Sequence, residues 1–213
     1  KDPSITEKEP QGSFEGGLLE LYKKIRPGEP LSVESADGGN VDGVIFSNIT
    51  MQNVGYPFFV LLNERLRAPE GTTIGSIKNV IFENITATGP YKEFLAPRMT
   101  ALWDGEMMCK SYVMPSTVTG QPHKAVENIT FSNIYLTLPG GCKEDLKDTV
   151  VPEITKSYPE NYAFGENFPT YGIFFRHIKN LKLSNVNIEA LEKDSRASVH
   201  FEDTEKSAPK DTF

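Results

Sequence analysis

One alternation of apolar and polar positions recurs along the chain, at 41–49, 77–85, 126–134 and 178–186, and the copies align without gaps. The shared order is apolar, polar, Asn or Gly, apolar, any residue, Phe or Leu, polar, Asn, apolar. Val44, Phe46 and their equivalents alternate with polar neighbours, which is the period of a strand with one buried face. The closing Asn of each copy, at Asn48, Asn84, Asn133 and Asn185, predicts a bend. An Asn side chain bonds locally and its backbone tolerates the left-handed region. The copies start 36, 49 and 52 residues apart, so the intervening segments must carry insertions.

A strand, bend and strand with Ile, Val, Leu and Phe on one side cannot bury that side alone, and successive copies have to stack. The repeat therefore predicts an all-β chain wound as a right-handed parallel β-helix with loop insertions. Asn48, Asn84, Asn133 and Asn185 are expected to superpose as an internal amide ladder, with the Phe and Ile positions filling the interior. An antiparallel β-sandwich is the alternative, and it would leave the fourfold motif to coincidence. Three formal glycosylation acceptors fall inside the units, at Asn48-Ile-Thr50, Asn84-Ile-Thr86 and Asn128-Ile-Thr130. Ladder chemistry and the β-propensity of Thr account for them as structural residues.

Around each unit lies a shorter apolar alternation, at 31–35, 58–62, 116–120, 172–177 and 198–203. Stacked, these segments make one parallel sheet. Alternation puts Leu31, Val33, Phe58, Val60, Leu62, Val118, Ile173, Phe175, Val199 and Phe201 inside. It leaves Ser32, Glu34, Phe59, Leu61, Asn63, Thr117, Thr119, Phe174, Arg176, His200 and Glu202 on an outer stripe, where a long polymer would lie.

Composition narrows the partners. Lys and Arg number 22 against 29 Asp and Glu, a net charge of −7, which repels a phosphate backbone and argues against nucleic acid. No apolar run approaches a membrane span. The two cysteines, Cys109 and Cys142, are too few for a disulfide framework and lack zinc spacing, so they read as buried or incidental thiols. No histidine pair has a metal spacing, and no cofactor or metal is implied. Residues 1–30 are expected to form a tail and a capping or first-lap segment, 31–203 the β-helix and 204–213 a polar tail. The polar start without an apolar signal core suggests a processed or excised chain. An exposed end of the stack could then pair with a missing amino-terminal half or with a second copy.

The units, together with Pro139-Gly-Gly141, Val151-Pro-Glu153, Tyr158-Pro-Glu160, Phe164-Gly165, Tyr171-Gly172 and Arg176-His177, resemble the carboxyl-terminal half of glycoside hydrolase family 28, the polygalacturonase-like proteins. The likeness spans about Leu31 to Asp203. It implies a pectin-lyase-like β-helix, secreted or periplasmic, that binds a pectin-type polysaccharide or oligosaccharide along one sheet and hydrolyses it with inversion. Of the family's motifs, Asn-Thr-Asp, Asp-Asp and Gly-His-Gly do not occur here. The fourth, Arg-Ile-Lys, falls on Ser32-Val33-Glu34, so a carboxylate stands where the family clamps a uronate. The resemblance thus implies that catalytic carboxylates lie on a segment before Leu31 and that this chain alone is inactive. A non-catalytic binder or a structural solenoid are the alternatives.

The remaining catalytic candidates are carboxylates in turns: Glu34 with Asp37, and Asp104 with Glu106 beside Trp103, the single tryptophan. Loop carboxylates usually mean only a turn, and each pair reads first as a solvated one. Candidate sugar-binding residues are Asn63, Arg65, Trp103, Arg176, His200 and Glu202. Trp stacks on sugar rings, Arg forks onto hydroxyl pairs or carboxylates, and Asn, His and Glu bond hydroxyls. His200 is placed to pair with Glu202, and His177 reads as a satisfied turn histidine. Tyr91, Tyr112, Tyr158 and Tyr162 sit in insertions, where each could stack on a sugar or tether its loop.

Overall fold

The structure is a computed structural model describing residues 30–90, 114–165 and 167–207, without the side chain of Tyr162. Its strands are β1 (Leu31–Ser35), β2 (Asn40–Gln52), β3 (Phe58–Leu62), β4 (Ser76–Thr88), β5 (Ser116–Thr119), β6 (Val126–Gly140), β7 (Thr170–Glu192) and β8 (Ala197–Lys206). Short and long strands alternate, then fuse in β7, which spans both. The pairings are all parallel, in the order β1-β3-β5-β7-β6-β4-β2 with β8 also on β7. The resulting sheet curves through about 293° and is nearly closed.

The repeat sets the register. Val44, Val80, Ile129 and Leu181 lie side by side on successive long strands, as do Phe46, Phe82, Phe131 and Leu183. Inside the curve, Val80, Phe82, Ile85, Ile129, Phe131 and Ile134 are fully buried with Phe58, Val60, Leu62, Val118, Ile173 and Phe175. Burying each such side chain contributes about 1.5–3 kcal/mol. The rings stack along the axis, Phe46 on Phe82 at 5.1 Å and Phe82 on Phe131 at 4.8 Å. Phe175 on Phe201 continues the interior at 5.4 Å, and the Lys206 ammonium closes it 3.5 Å from the Phe201 ring centre.

Asparagine amides do stack, but outside the barrel rather than within it. Asn84 Nδ2 donates to Asn48 Oδ1 at 3.2 Å, Asn133 to Asn84 at 3.0 Å and Asn185 to Asn133 at 2.9 Å, and all four residues are exposed. The left-handed backbone, with φ of 58°, 53°, 53° and 52°, turns each side chain away from an interior already filled by Phe and Ile. A second ladder runs beside the first. Asn79 donates to Asp42 at 2.6 Å, Asn128 to Asn79 at 2.9 Å, and Asn180 to Asn128. It occupies the Asn-or-Gly position of the repeat, where Gly43 with φ 81° makes the first bend. Asn84 and Asn128 thus spend their amide N–H groups on the neighbouring strand.

The reading of Cys142 as a thiol is overturned, since it is disulfide-bonded. Cys109 lies outside the described residues. Cys142 sits where the chain leaves β6, with its N–H on Asp194 Oδ2 at 3.1 Å and its carbonyl accepting from Ser195 N at 2.8 Å. These two hydrogen bonds tie the start of the insertion 141–169 to the turn between β7 and β8.

Asn84 both donates and accepts within its ladder, at a left-handed bend. Asn84→Ala should cost about 2 kcal/mol, combining two exposed hydrogen bonds with the strain of a Cβ at positive φ. Asn84→Gly relieves that strain and should cost about 1 kcal/mol. Urea unfolding of the two variants checks the order; equal losses would remove the backbone component.

Candidate functional site

The outer stripe has the composition expected for it but is not open along its length. Phe59, Leu61 and Phe174 face away from the interior, as alternation requires, yet they are buried under Val151, Ile154, Phe164 and Phe168 of the insertion, together with Met114. A sheet face carrying Phe and Leu is too apolar to leave in water, and the insertion covers it. Polar stripe residues serve as its fastenings. Thr117 Oγ1 donates to Asn161 Oδ1 at 2.6 Å, and Asn161 Nδ2 to Pro115 O at 3.0 Å. Gln121 Nε2 reaches Leu62 O and Ile154 O, both at 2.7 Å.

Arg176 is the main fastening. Its side chain is 3% exposed, its guanidinium donates to Val151 O at 2.7 Å and Pro152 O at 2.9 Å, and it pairs with Glu153 at 3.3 Å and Glu202 at 3.5 Å. Phe174 and Phe164 hold it between their rings, 5.2 and 5.6 Å from the guanidinium carbon. Next to it the chain turns at His177, with φ 54°. The imidazole lies between two carboxylates, Nδ1 at 2.7 Å from Asp203 Oδ2 and Nε2 at 3.0 Å from Glu153 Oε1. His200 stacks on Phe174 at 5.7 Å and stands 3.3 Å from Glu202. The motifs Val151-Pro-Glu153, Phe164-Gly165 and Arg176-His177 meet in this one cluster.

At the other end the cover stops. Ser32 and Glu34 of β1 are exposed, whereas Phe59 and Leu61, their register partners on β3, are buried. This step forms a ledge. Near it Tyr158 is 57% exposed, with the Arg65 guanidinium, which feels both Tyr158 and Glu34, 5.2 Å from its ring centre. Arg65 Nε donates to Asp37 Oδ1 at 3.0 Å and a terminal nitrogen reaches the other carboxylate oxygen, while Arg67 N–H bonds Asp37 at 2.8 Å. These contacts hold the Asp37 carboxyl below its ordinary range, the Arg65 bond contributing most. Half-buried Tyr56 packs edge-on against Phe59 at 6.4 Å. Burial pushes its phenol up, and Glu160 and Glu34 push it further.

Among the residues singled out from sequence, Glu34, Asp37 and Arg65 meet at the ledge, and Arg176, His200 and Glu202 meet at the far end. Asn63 lies between them, fully buried, with its Nδ2 on Ser157 O at 3.1 Å, so it holds the cover and is not available to solvent. Arg176 is likewise enclosed. Trp103, Asp104, Glu106, Tyr91 and Tyr112 fall outside the described residues. Glu153, which the sequence offers only as part of Val151-Pro-Glu153, and Asp203 and Tyr56 carry no site signal of their own, because only the fold brings them to His177 and to the ledge. No family model matches the sequence, and no curated protein or solved structure matches it. Among the described residues no three His, Cys, Asp or Glu side chains are grouped to hold a metal, and no helix is long and apolar enough to cross a membrane.

Arg176→Met should cost about 3 kcal/mol, because it leaves the Val151 and Pro152 carbonyls without their donor and takes the cation from Glu153 and Glu202, which keep only their histidines. The insertion should loosen with it, read as faster proteolytic cleavage within 141–169; unchanged cleavage would mean that apolar contacts alone hold the cover.

Asp37 gives a pH signature. Its folded pKa lies below the unfolded value, so its contribution is present above about pH 4 and fades as pH falls through the lower, folded value. Asp37→Asn should therefore unfold at lower urea than the parent at pH 7, and the gap should narrow towards pH 3. A gap as wide at pH 3 as at pH 7 would show that the charge is not responsible.

Proposed function

We propose that the chain is a right-handed parallel β-helix of the polygalacturonase-like type, corresponding to the carboxyl-terminal part of a glycoside hydrolase that acts on pectin-type polysaccharide by inverting hydrolysis. The observation that carries this reading is the outer face of the short-strand sheet, which ends in an open ledge bearing Tyr158, Arg65 and Glu34. A rigid aromatic ring beside polar groups is the chemistry that saccharide rings bind. The ordered motifs support the same reading, since several of them build the cover that bounds the ledge. A disulfide at Cys142 fits an oxidising, extracytoplasmic compartment.

Hydrolysis with inversion needs a carboxylic acid and a carboxylate separated by roughly 6.5–9.5 Å, with water between. Here Asp37, Glu153, Glu202 and Asp203 are each engaged by Arg or His. The proposal therefore assigns binding to residues 31–203 and cleavage to carboxylates elsewhere. That engagement also favours a second reading, a non-catalytic polysaccharide-binding β-helix.

Two measurements separate the readings. This chain should retard in gels cast with pectin-type polysaccharide and release no reducing ends from it, whereas a longer version carrying the family's Asp motifs should hydrolyse it with inverted anomeric configuration. Hydrolysis by this chain alone would overturn the division of labour. Absence of retardation would overturn glycan binding.

A further inference from the structure

The ledge carries information about which sugar it takes, an inference that rests on the glycan-binding reading above. Tyr158 has one ring face towards the Arg65 guanidinium and more than half its surface in solvent. Its backbone is fixed on both sides, by Asn63 Nδ2 on Ser157 O at 3.1 Å and by Glu160 N on Tyr158 O at 2.9 Å. A ring held this way gives up little freedom when a pyranose stacks on it.

The charges around it then decide the ligand. A uronate needs a free guanidinium or ammonium, and the Arg65 fork is already closed on Asp37. Arg67 gives its backbone N–H to Asp37 and its side chain is exposed. Glu34 accepts from the Ser32 hydroxyl and faces solvent, and both Glu34 and Glu160 act on Tyr56. The Tyr56 phenol stays protonated and able to donate. Three carboxylates, Asp37, Glu34 and Glu160, against two cations, Arg65 and Arg67, leave the ledge at a net charge of −1, so its carboxylate acceptors, neutral donor and aromatic face match hydroxyl groups and disfavour a further carboxylate.

We propose that the ledge formed by Tyr158, Arg65, Asp37, Glu34, Tyr56 and Glu160 is a subsite for a neutral hexopyranose unit and discriminates against uronates. In a pectin-type polymer, this directs the face to neutral side chains or to stretches without free carboxylates.

The test is calorimetric titration of the whole chain with two tetrasaccharides of equal length, one of neutral galactose and one of galacturonate, at low and high salt. The neutral sugar should bind about tenfold more tightly at low salt, and the gap should shrink as salt screens repulsion. Tyr158→Ala should weaken neutral binding about tenfold, Tyr158→Phe should restore most of it, and Glu34→Lys should narrow the discrimination. Thermal midpoints of the variants close to the parent value establish that they fold. Galacturonate binding as tightly as galactose at low salt, or Tyr158→Ala binding like the parent, would overturn this subsite while leaving a glycan-binding face standing. If neither sugar binds at millimolar concentration but pectin still retards the chain, the subsite alone fails. If nothing binds, both readings fail together.

Discussion

Parallel stacking in register is the constraint on which this structure depends. A lap of chain here has no partner of its own. Its strand amides, its Asn side chains and its apolar face are satisfied only by the lap beside it. Two Asn ladders at the bends fix which residue sits over which, because each amide both donates and accepts along the axis. Charge reinforces this alignment. Asp42, Lys78, Glu127 and Lys179 lie side by side on successive strands with alternating sign, and Lys78 pairs with Glu127 at 3.1 Å. A slip by one lap would set like charges against each other.

Stacking leaves a second surface to be managed. The outer face of the short strands carries Phe59, Leu61 and Phe174, and the insertion between β6 and β7 buries them in a satellite cluster. Apolar burial holds this cover, while Arg176, Gln121 and Asn63 donate to its backbone carbonyls and its own Asn161 donates to Pro115 O. Residues that alternation places on the outer stripe are occupied with the protein's own chain wherever the insertion lies, and the face is open only where that cover ends. At that step Glu34 and Tyr158 are exposed beside an Arg65 neutralised by Asp37.

The repeat by itself determined much of the architecture. Period-two alternation located the long strands and the interior positions of the short ones, and gapless spacing of the motif set their register. Asn at a bend signalled amide stacking because few other residues combine left-handed backbone with a donor and an acceptor. The same pattern held the second ladder in its Asn-or-Gly position, a signal that needs Asn79, Asn128 and Asn180 to be compared across units.

Tertiary structure alone decided what the alternation could not express. Sequence parity assigns a residue to a side of a sheet, and it says nothing of whether a distant insertion lies on that side. Arg176 points outward as alternation requires and is nonetheless buried, because Val151 and Phe164, many residues away, fold over it. The ladder Asn residues are exposed because bend geometry and a filled interior leave them no inward path. His177 meets Glu153 and Asp203, and Tyr158 meets Arg65, through contacts between laps whose insertions differ in length. Local pattern fixes the repeat, whereas such encounters depend on where each irregular loop returns in space.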